Sequence, residues 1–373
     1  MTDVVVVGLG AFGSAALWRL AARGVDVVGI ERQGIGHAFG SSHGTTRLFR
    51  VACMEHPGLT EIARKSLALW TELGERNDAT YVRQTGSLNV GAPGSRPVQG
   101  ARLAAAAAGA PTTDLTHDEL RERFPQYNLA ADDVAVWDPG AGICYAEPTV
   151  RAHVAEAQRL GATVYPHTMV TAIDVRPDGV TVRTPTTSIT AEQVVISTGA
   201  WLSKLVPDVS LSPRRMPLFW FQPKDPASDA FRLRNFPSFI WEFADGRGLW
   251  GHGSDEDFLV KVGLDGAERD RDVDPDELDR YIHPRKDIAE LSAAIAQHFP
   301  ELDPEPVKLM PCMVTDSRDG QFLAGRYDER VVIAGGDSGH GFKHCAGIGE
   351  LLAQITTKET PYTDVSFVDP HRF

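Results

Sequence analysis

Residues 3–31 read DVVVVGLGAFGSAALWRLAARGVDVVGIE, and this stretch decides the fold. Valines run together without polar alternation in residues 3–8, the pattern of a parallel strand covered on both faces. Residues 11–23 have helical composition and stop at Gly24, a residue that readily takes the left-handed conformation closing a helix. Residues 25–31 return to a β-branched run, completing a βαβ unit. The connection between strand and helix is Gly8-Leu9-Gly10-Ala11-Phe12-Gly13. In a G-x-G-x-x-G turn the first glycine permits the tight reversal. The second lets a pyrophosphate approach the backbone, and the third lets helix and strand pack closely. The helix start offers free N–H groups and the positive end of its dipole. Glu31 ends the second strand 18 residues after Gly13, where a carboxylate hydrogen-bonds ribose hydroxyls. A Rossmann-type dinucleotide site is therefore expected. The motif by itself leaves NAD and FAD both open, and an NAD(P)-dependent reductase would need nothing more than this unit.

Outward from this unit the chain alternates in character. A helix is predicted over 57–74, and two more in 101–110 and 116–124, the latter with a capping box from Thr116 to Glu119. A helix over 148–160 leads into short strands at 163–166, 169–175 and 179–184, with Pro177-Asp178-Gly179 as a hairpin turn. A strand follows at 192–198, then a β-rich stretch over 211–263 and a helix over 285–299. The strand at 330–335 and the helix at 344–356 end the pattern. The expected architecture is α/β. Residues 1–84, 142–210 and 306–373 would form a discontinuous Rossmann-type domain. Residues 85–141 and 211–305 would form an inserted α+β substrate domain with a mainly antiparallel sheet.

At 373 residues, 42% hydrophobic and 23% charged, the chain suits a two-domain globular protein. Its net charge of −13, from 37 basic and 50 acidic residues, disfavours nucleic acid and anionic membranes as principal partners. No apolar run approaches the roughly 20 residues of a membrane span. The first residues lack the basic start of an export signal, so a cytoplasmic location is expected. Cys53, Cys144, Cys312 and Cys345 are widely spaced and form no C-x-x-C pair, so no metal site is expected.

Several charged residues stand out. Arg47 and Arg50 are three apart and would share one face if their segment were helical. Beside the Gly/Ser-rich loop of residues 34–46 they suit anion binding, because a guanidinium grips a carboxylate bidentately. Lys343 follows a Gly-rich turn at a helix start, from which it could reach into a cleft. In Phe258-Leu259-Val260-Lys261-Val262-Gly263, strand alternation puts Leu259, Lys261 and Gly263 on one face. Phe258, Val260 and Val262 would occupy the other. A lysine in so apolar a strand is expected to be at least partly buried, and a buried ammonium needs a partner or a role.

Four stretches, in order from the first strand to the last helix, carry a resemblance. They are Gly8–Glu31; the run 40–50, GSSHGTTRLFR; Cys312-Met313-Val314-Thr315 with Asp319 and Phe322; and the run 335–343, GGDSGHGFK. Together they make the chain similar to the monomeric sarcosine oxidase and N-methyl amino acid oxidase family, among the D-amino acid oxidase-like flavoenzymes. The resemblance implies FAD and oxidation of a secondary (N-methyl or cyclic) amino acid to an imine, with O₂ reduced to H₂O₂. It implies a covalent flavin thioether at Cys312, and Arg50 and Lys343 as holders of the substrate carboxylate. It places Arg47 and His43 beside the flavin, and Lys261 over the flavin face as the group that activates O₂. The remaining expected cofactor contacts are Ala11, Phe12, Arg32, Ser41, Ser42, Thr46, Val170, Gly199, Trp201, Gly339, Gly341 and Lys343. His340 is a possible flavin neighbour. The chain departs from the family in the substrate pocket, with Asp265 where a histidine is usual and Trp250 where a tyrosine is usual. A substrate larger than sarcosine, with an extra hydrogen-bond donor or basic nitrogen for Asp265, is the resulting expectation. A biosynthetic cyclic imino acid oxidase or dehydrogenase on the same fold is the alternative, and a non-catalytic flavoprotein a further one. A monomer is expected, with a small amino-acid-like substrate and O₂ as partners.

Overall fold

The computed structural model describes residues 1–255, 258–265 and 271–373. The valine run forms the strand Thr2–Val7, at the centre of an eight-stranded sheet. It pairs in parallel with Val27–Ile30 on one side and Ser188–Ile196 on the other, and Thr163–Tyr165 and Val331–Gly335 extend the parallel array outward. Antiparallel Leu323–Asp328 and the Ala172–Arg176/Gly179–Arg183 hairpin complete it. The helix Ala11–Ala21 packs between Ala146–Arg159 and Cys345–Thr356. The close approach to the last helix depends on Gly349, where a Cβ would lie 2.5 Å from the Ala15 backbone.

The second eight-stranded sheet runs Lys308–Met310, Leu218–Phe221, Val260–Asp265, Gly248–His252, Ser238–Glu242, Ser87–Gly91, Val134–Asp138 and Thr113–Leu115. All neighbours are antiparallel except Ser238–Glu242 against Ser87–Gly91. Its period-2 pattern separates two faces. One face sends Phe219, Phe221, Phe239, Trp241, Leu249, Val260, Val262 and Leu264 into a core shared with Leu291, Ile295 and Phe299. Each such fully buried side chain contributes about 1.5–3 kcal/mol of transfer free energy. The opposite face carries Trp220, Ile240, Glu242, Trp250, His252, Lys261, Gly263 and Asp265. Two small sheets tie the layers together: Thr46–Phe49 with Gly142–Tyr145 and Val82–Arg83, and Ser212–Arg215 with Met313–Asp316.

The α/β expectation holds, and the Thr116–Glu119 capping box forms as expected. Other expectations need correction. Arg47 and Arg50 do not share a helical face, because residues 46–49 form a strand hydrogen-bonded to Gly142–Tyr145. Phe258 does not join Val260 and Val262 in the core. It precedes the strand with φ +61°, is 57% exposed, and lies 3.6 Å under the Arg232 guanidinium. The helix expected over 285–299 begins with an irregular turn, Pro284–Ile288, before regular helix at Ala289–His298.

Candidate active site

Both large sheets face one cavity of about 910 Å³. At its first end the dinucleotide turn has the geometry its glycines were expected to serve. Gly8 has φ +85°, and a Cβ there would lie 2.5 Å from the Ser197 carbonyl oxygen. A Cβ on Gly13 would lie 1.8 Å from the Gly8 oxygen, so helix and turn touch through bare backbone. The Ala11 N–H donates to Ser42 Oγ (3.0 Å), binding the turn to the Gly/Ser-rich loop. Glu31 is buried, and its carboxylate accepts from the N–H of Leu9 (2.8 Å) and of Gln33 (2.9 Å). Burial pulls its pKa up, but these bonds and His37 at 3.3 Å outweigh burial and keep it below the usual range. The ionised carboxylate therefore braces the turn while lining the cavity. Arg32 pairs with Asp276 (2.6 Å), which also accepts from Trp201 Nε1 (2.8 Å) and Lys204 Nζ (2.6 Å).

The expected cofactor residues Gly8, Gly10, Ala11, Phe12, Glu31, Arg32, Ser41, Ser42, Thr46, Val170, Gly199, Trp201, Cys312, Gly339, Gly341 and Lys343 all reach the wall. Gly13 and His43 do not. Gly13 lies behind the turn. His43 is fully buried, and neither ring nitrogen has a hydrogen-bond partner among the described residues. Burial, with Arg47 and Lys261 nearby, drives its pKa down to about 3, so the ring is neutral.

At the other end, cations from distant parts of the chain converge. Lys261 is 1% exposed and donates to the carbonyls of Gly44 and Thr46, both at 2.8 Å, with its ammonium 5.1 Å from the Trp220 ring centre. Burial and then Arg47 hold its pKa well below that of an ordinary lysine. Arg47 donates to the carbonyls of Thr46 and Ser41, each at 2.7 Å. Cys312 is buried on the same cavity wall. Burial raises its pKa, and Arg47 and Lys261 pull it back toward the thiolate. Trp250 lies across Gly263, where a Cβ would lie 2.2 Å from Trp250 Cζ2, and Asp265 follows on the same strand.

Arg50 and Lys343 do meet, and both are buried. Between them sits Glu55, which sequence reasoning missed. One of its oxygens accepts from Arg50 Nη2 (2.7 Å) and Lys343 Nζ (3.2 Å), while Oε2 has no partner among the described residues. Burial opposes its charge, but Arg50 and Lys343 hold the carboxyl well below the usual range. An acid five residues after a suspected anion-binding arginine was the available signal. His252 was missed as well. It lies two residues beyond Trp250 on one strand and so shares its face.

These residues fit FAD. The glycine cradle, the Ala11–Ala21 helix start and Glu31 suit a pyrophosphate and ribose, and the cavity continues past them to Cys312, Lys261 and Arg50. The comparisons agree. The chain is 33% identical to a monomeric sarcosine oxidase of Streptomyces avermitilis, covering 99% of this chain and 97% of that one. It is 27% identical to an N-methyl-L-tryptophan oxidase of Yersinia pestis, covering 100% and 99%. NikD, an amino acid oxidase of nikkomycin biosynthesis, superposes with a TM-score of 0.87 at 23% identity, over 99% of this chain and 97% of that one. The profile of the FAD dependent oxidoreductase family matches residues 3–355, which decides between FAD and NAD(P): this chain belongs to the FAD-dependent oxidoreductases.

Proposed function

We propose that this enzyme oxidises the C–N bond of a secondary amino acid, N-methyl or cyclic, to an imine and passes the electrons to O₂, giving H₂O₂. The observation that carries this reading is the meeting of Arg50 and Lys343 on one cavity wall with Lys261, Arg47 and Cys312 beyond them. When bound, FAD supplies the two-electron chemistry that side chains lack. Arg50 and Lys343 hold the substrate carboxylate. With Glu55 in place the three charges sum to +1, so an incoming carboxylate brings the clamp to neutrality while competing with Glu55 for the same donors.

The substrate nitrogen must be neutral to surrender its lone pair, and four nearby cations disfavour a fifth positive charge on it. Loss of two electrons and two protons leaves the imine. Water hydrolyses an open-chain imine to an amine and a carbonyl compound, whereas a cyclic imine is kept. Lys261 serves the second half of the cycle. A fixed ammonium in a water-poor site stabilises the anion formed as O₂ takes its first electron. Cys312 is the proposed point of covalent flavin attachment, the two neighbouring cations favouring its thiolate. Trp250 provides an apolar platform that leads outward to Asp265 and Glu242 across three adjacent strands. A substrate longer than sarcosine, with a donor or basic nitrogen for Asp265, fits that sequence of surfaces.

A peroxide-coupled screen over N-methyl and cyclic amino acids tests the reading, with intact mass of wild type and Cys312→Ser alongside. Peroxide with carboxylate-bearing amines only, and a flavin-sized mass lost in the serine variant, is the expected result. No peroxide from any such compound would overturn it. An unchanged substrate ranking in Asp265→Asn would remove Asp265 from recognition.

A further inference from the structure

Lys261 is buried, yet its two acceptors are neutral carbonyls rather than a carboxylate. Those carbonyls belong to one turn, Gly44-Thr45-Thr46, whose shape is unusual. Gly44 has φ +90° and Thr45 has φ +65°, a left-handed conformation that a β-branched residue adopts only when held there. Two clamps hold it. From one side, the Glu147 carboxylate accepts from the N–H of Gly44 (2.8 Å) and of Thr45 (3.0 Å). From the other, Thr46 Oγ1 lies 2.7 Å from His252 Nε2. His252 Nδ1 lies 2.7 Å from the Gly253 carbonyl oxygen, which can only accept. Nδ1 therefore carries the proton, and Nε2 offers a lone pair to the Thr46 hydroxyl. His252 is 4% exposed, lines the same cavity, and stands opposite Lys261 in the strand register. The Thr46 carbonyl is shared, accepting from both Lys261 Nζ and Arg47 Nη1. Anchoring Thr46 therefore fixes two cations at once.

We infer that His252 is a positioning residue for the oxygen-reacting half of the cycle: through the Thr46 hydroxyl it fixes the two-carbonyl seat that aims the Lys261 ammonium into the cavity. This rests on the reading of Lys261 given above. His252 itself moves no proton in the cycle, and its neutrality adds no charge beside Lys261. Burial, then Lys261, keeps its pKa down at about 4.

The test uses the holoenzyme and separates the two half-reactions by stopped flow. His252→Phe, which offers no acceptor, slows reoxidation by O₂ about tenfold and slows reduction by substrate by a smaller factor. His252→Gln, whose amide oxygen can still accept, recovers part of the loss. Thr46→Val removes the donor from the other side and slows reoxidation like His252→Phe. In a Lys261→Met background the His252→Phe factor disappears, because the two act through one group. Independently of turnover, ¹⁵N NMR of the labelled imidazole shows an unprotonated Nε2 whose resonance moves in Thr46→Val. Equal slowing of both half-reactions, or a His252→Phe factor that persists without Lys261, overturns the inference. If Lys261→Met slows reoxidation while His252→Phe does not, only this inference fails. If Lys261→Met leaves reoxidation unchanged, the reading of Lys261 fails and takes this one with it.

Discussion

The two ends of the cavity are built in opposite ways. At the cofactor end, Gly8, Gly13 and Glu31 lie within one βαβ unit, and the decisive contact is bare backbone against bare backbone. At the end proposed for the substrate, Arg50 and Glu55 come from one loop and Lys261 and Lys343 from two distant segments, and Lys343 reaches Glu55 across 288 positions of sequence. The first end is a steric device that tolerates no added atom. The second is an electrostatic device, in which removing one member leaves others charged and buried. The first should therefore fail completely, the second by degrees.

The sharpest break is at Gly13. Gly13→Val would place carbon 1.8 Å from the Gly8 oxygen, and the expected product is a protein purified without flavin colour, read from its absorption spectrum. Retained flavin would show that the turn can relax. At the other end, Lys261→Met is expected to slow reoxidation by O₂ by about 10²–10³ with a smaller effect on reduction, measured by stopped flow. Arg50→Met leaves Lys343 and Glu55 to neutralise each other. KM for carboxylate-bearing substrates should rise about 100-fold, while amines lacking a carboxylate show little change.

Acid distinguishes the regions in another way. His43 and His252 beside Lys261 titrate only near about 3 and about 4 in the folded protein, against about 6.5 when unfolded. Burial is the main cause for both. Because the unfolded chain binds those protons first, stability is fully present above about pH 6.5. It is lost as pH falls from there toward about 4, by about 1.4 kcal/mol per pH unit for each imidazole. His252→Gln should flatten the fall of Tm between pH 7 and pH 5, and an unchanged slope would count against a neutral buried ring. The smallest effect belongs to Glu55. In Glu55→Gln the competing charge is gone, so KM for carboxylate substrates should drop severalfold, and a rise would show that Glu55 helps to seat the substrate.

The Gly8–Glu31 unit could be read from spacing alone because its parts interact across about 20 residues of regular structure. The face of Lys261 could be read as well, since strand alternation is local. The partners of Arg47 could not. Helical spacing to Arg50 suggested a shared face, but pairing with Gly142–Tyr145 made the segment a strand and turned Arg47 toward the carbonyls of Ser41 and Thr46. His43 matched the family pattern and still lies behind the wall, a distinction of depth that a linear motif does not encode.

The dinucleotide turn, the Thr116–Glu119 capping box and the face that Lys261 takes on its strand were legible in the residues alone, because each depends on dihedral preference or periodicity over a few residues. Long-range packing alone brings Glu55 between Arg50 and Lys343 and sets His252 against Thr46, whose carbonyl seats Lys261. Buried charges and strained turns are settled by which long-range partners remain once water is excluded, and those partners come from strands and loops far apart in the chain.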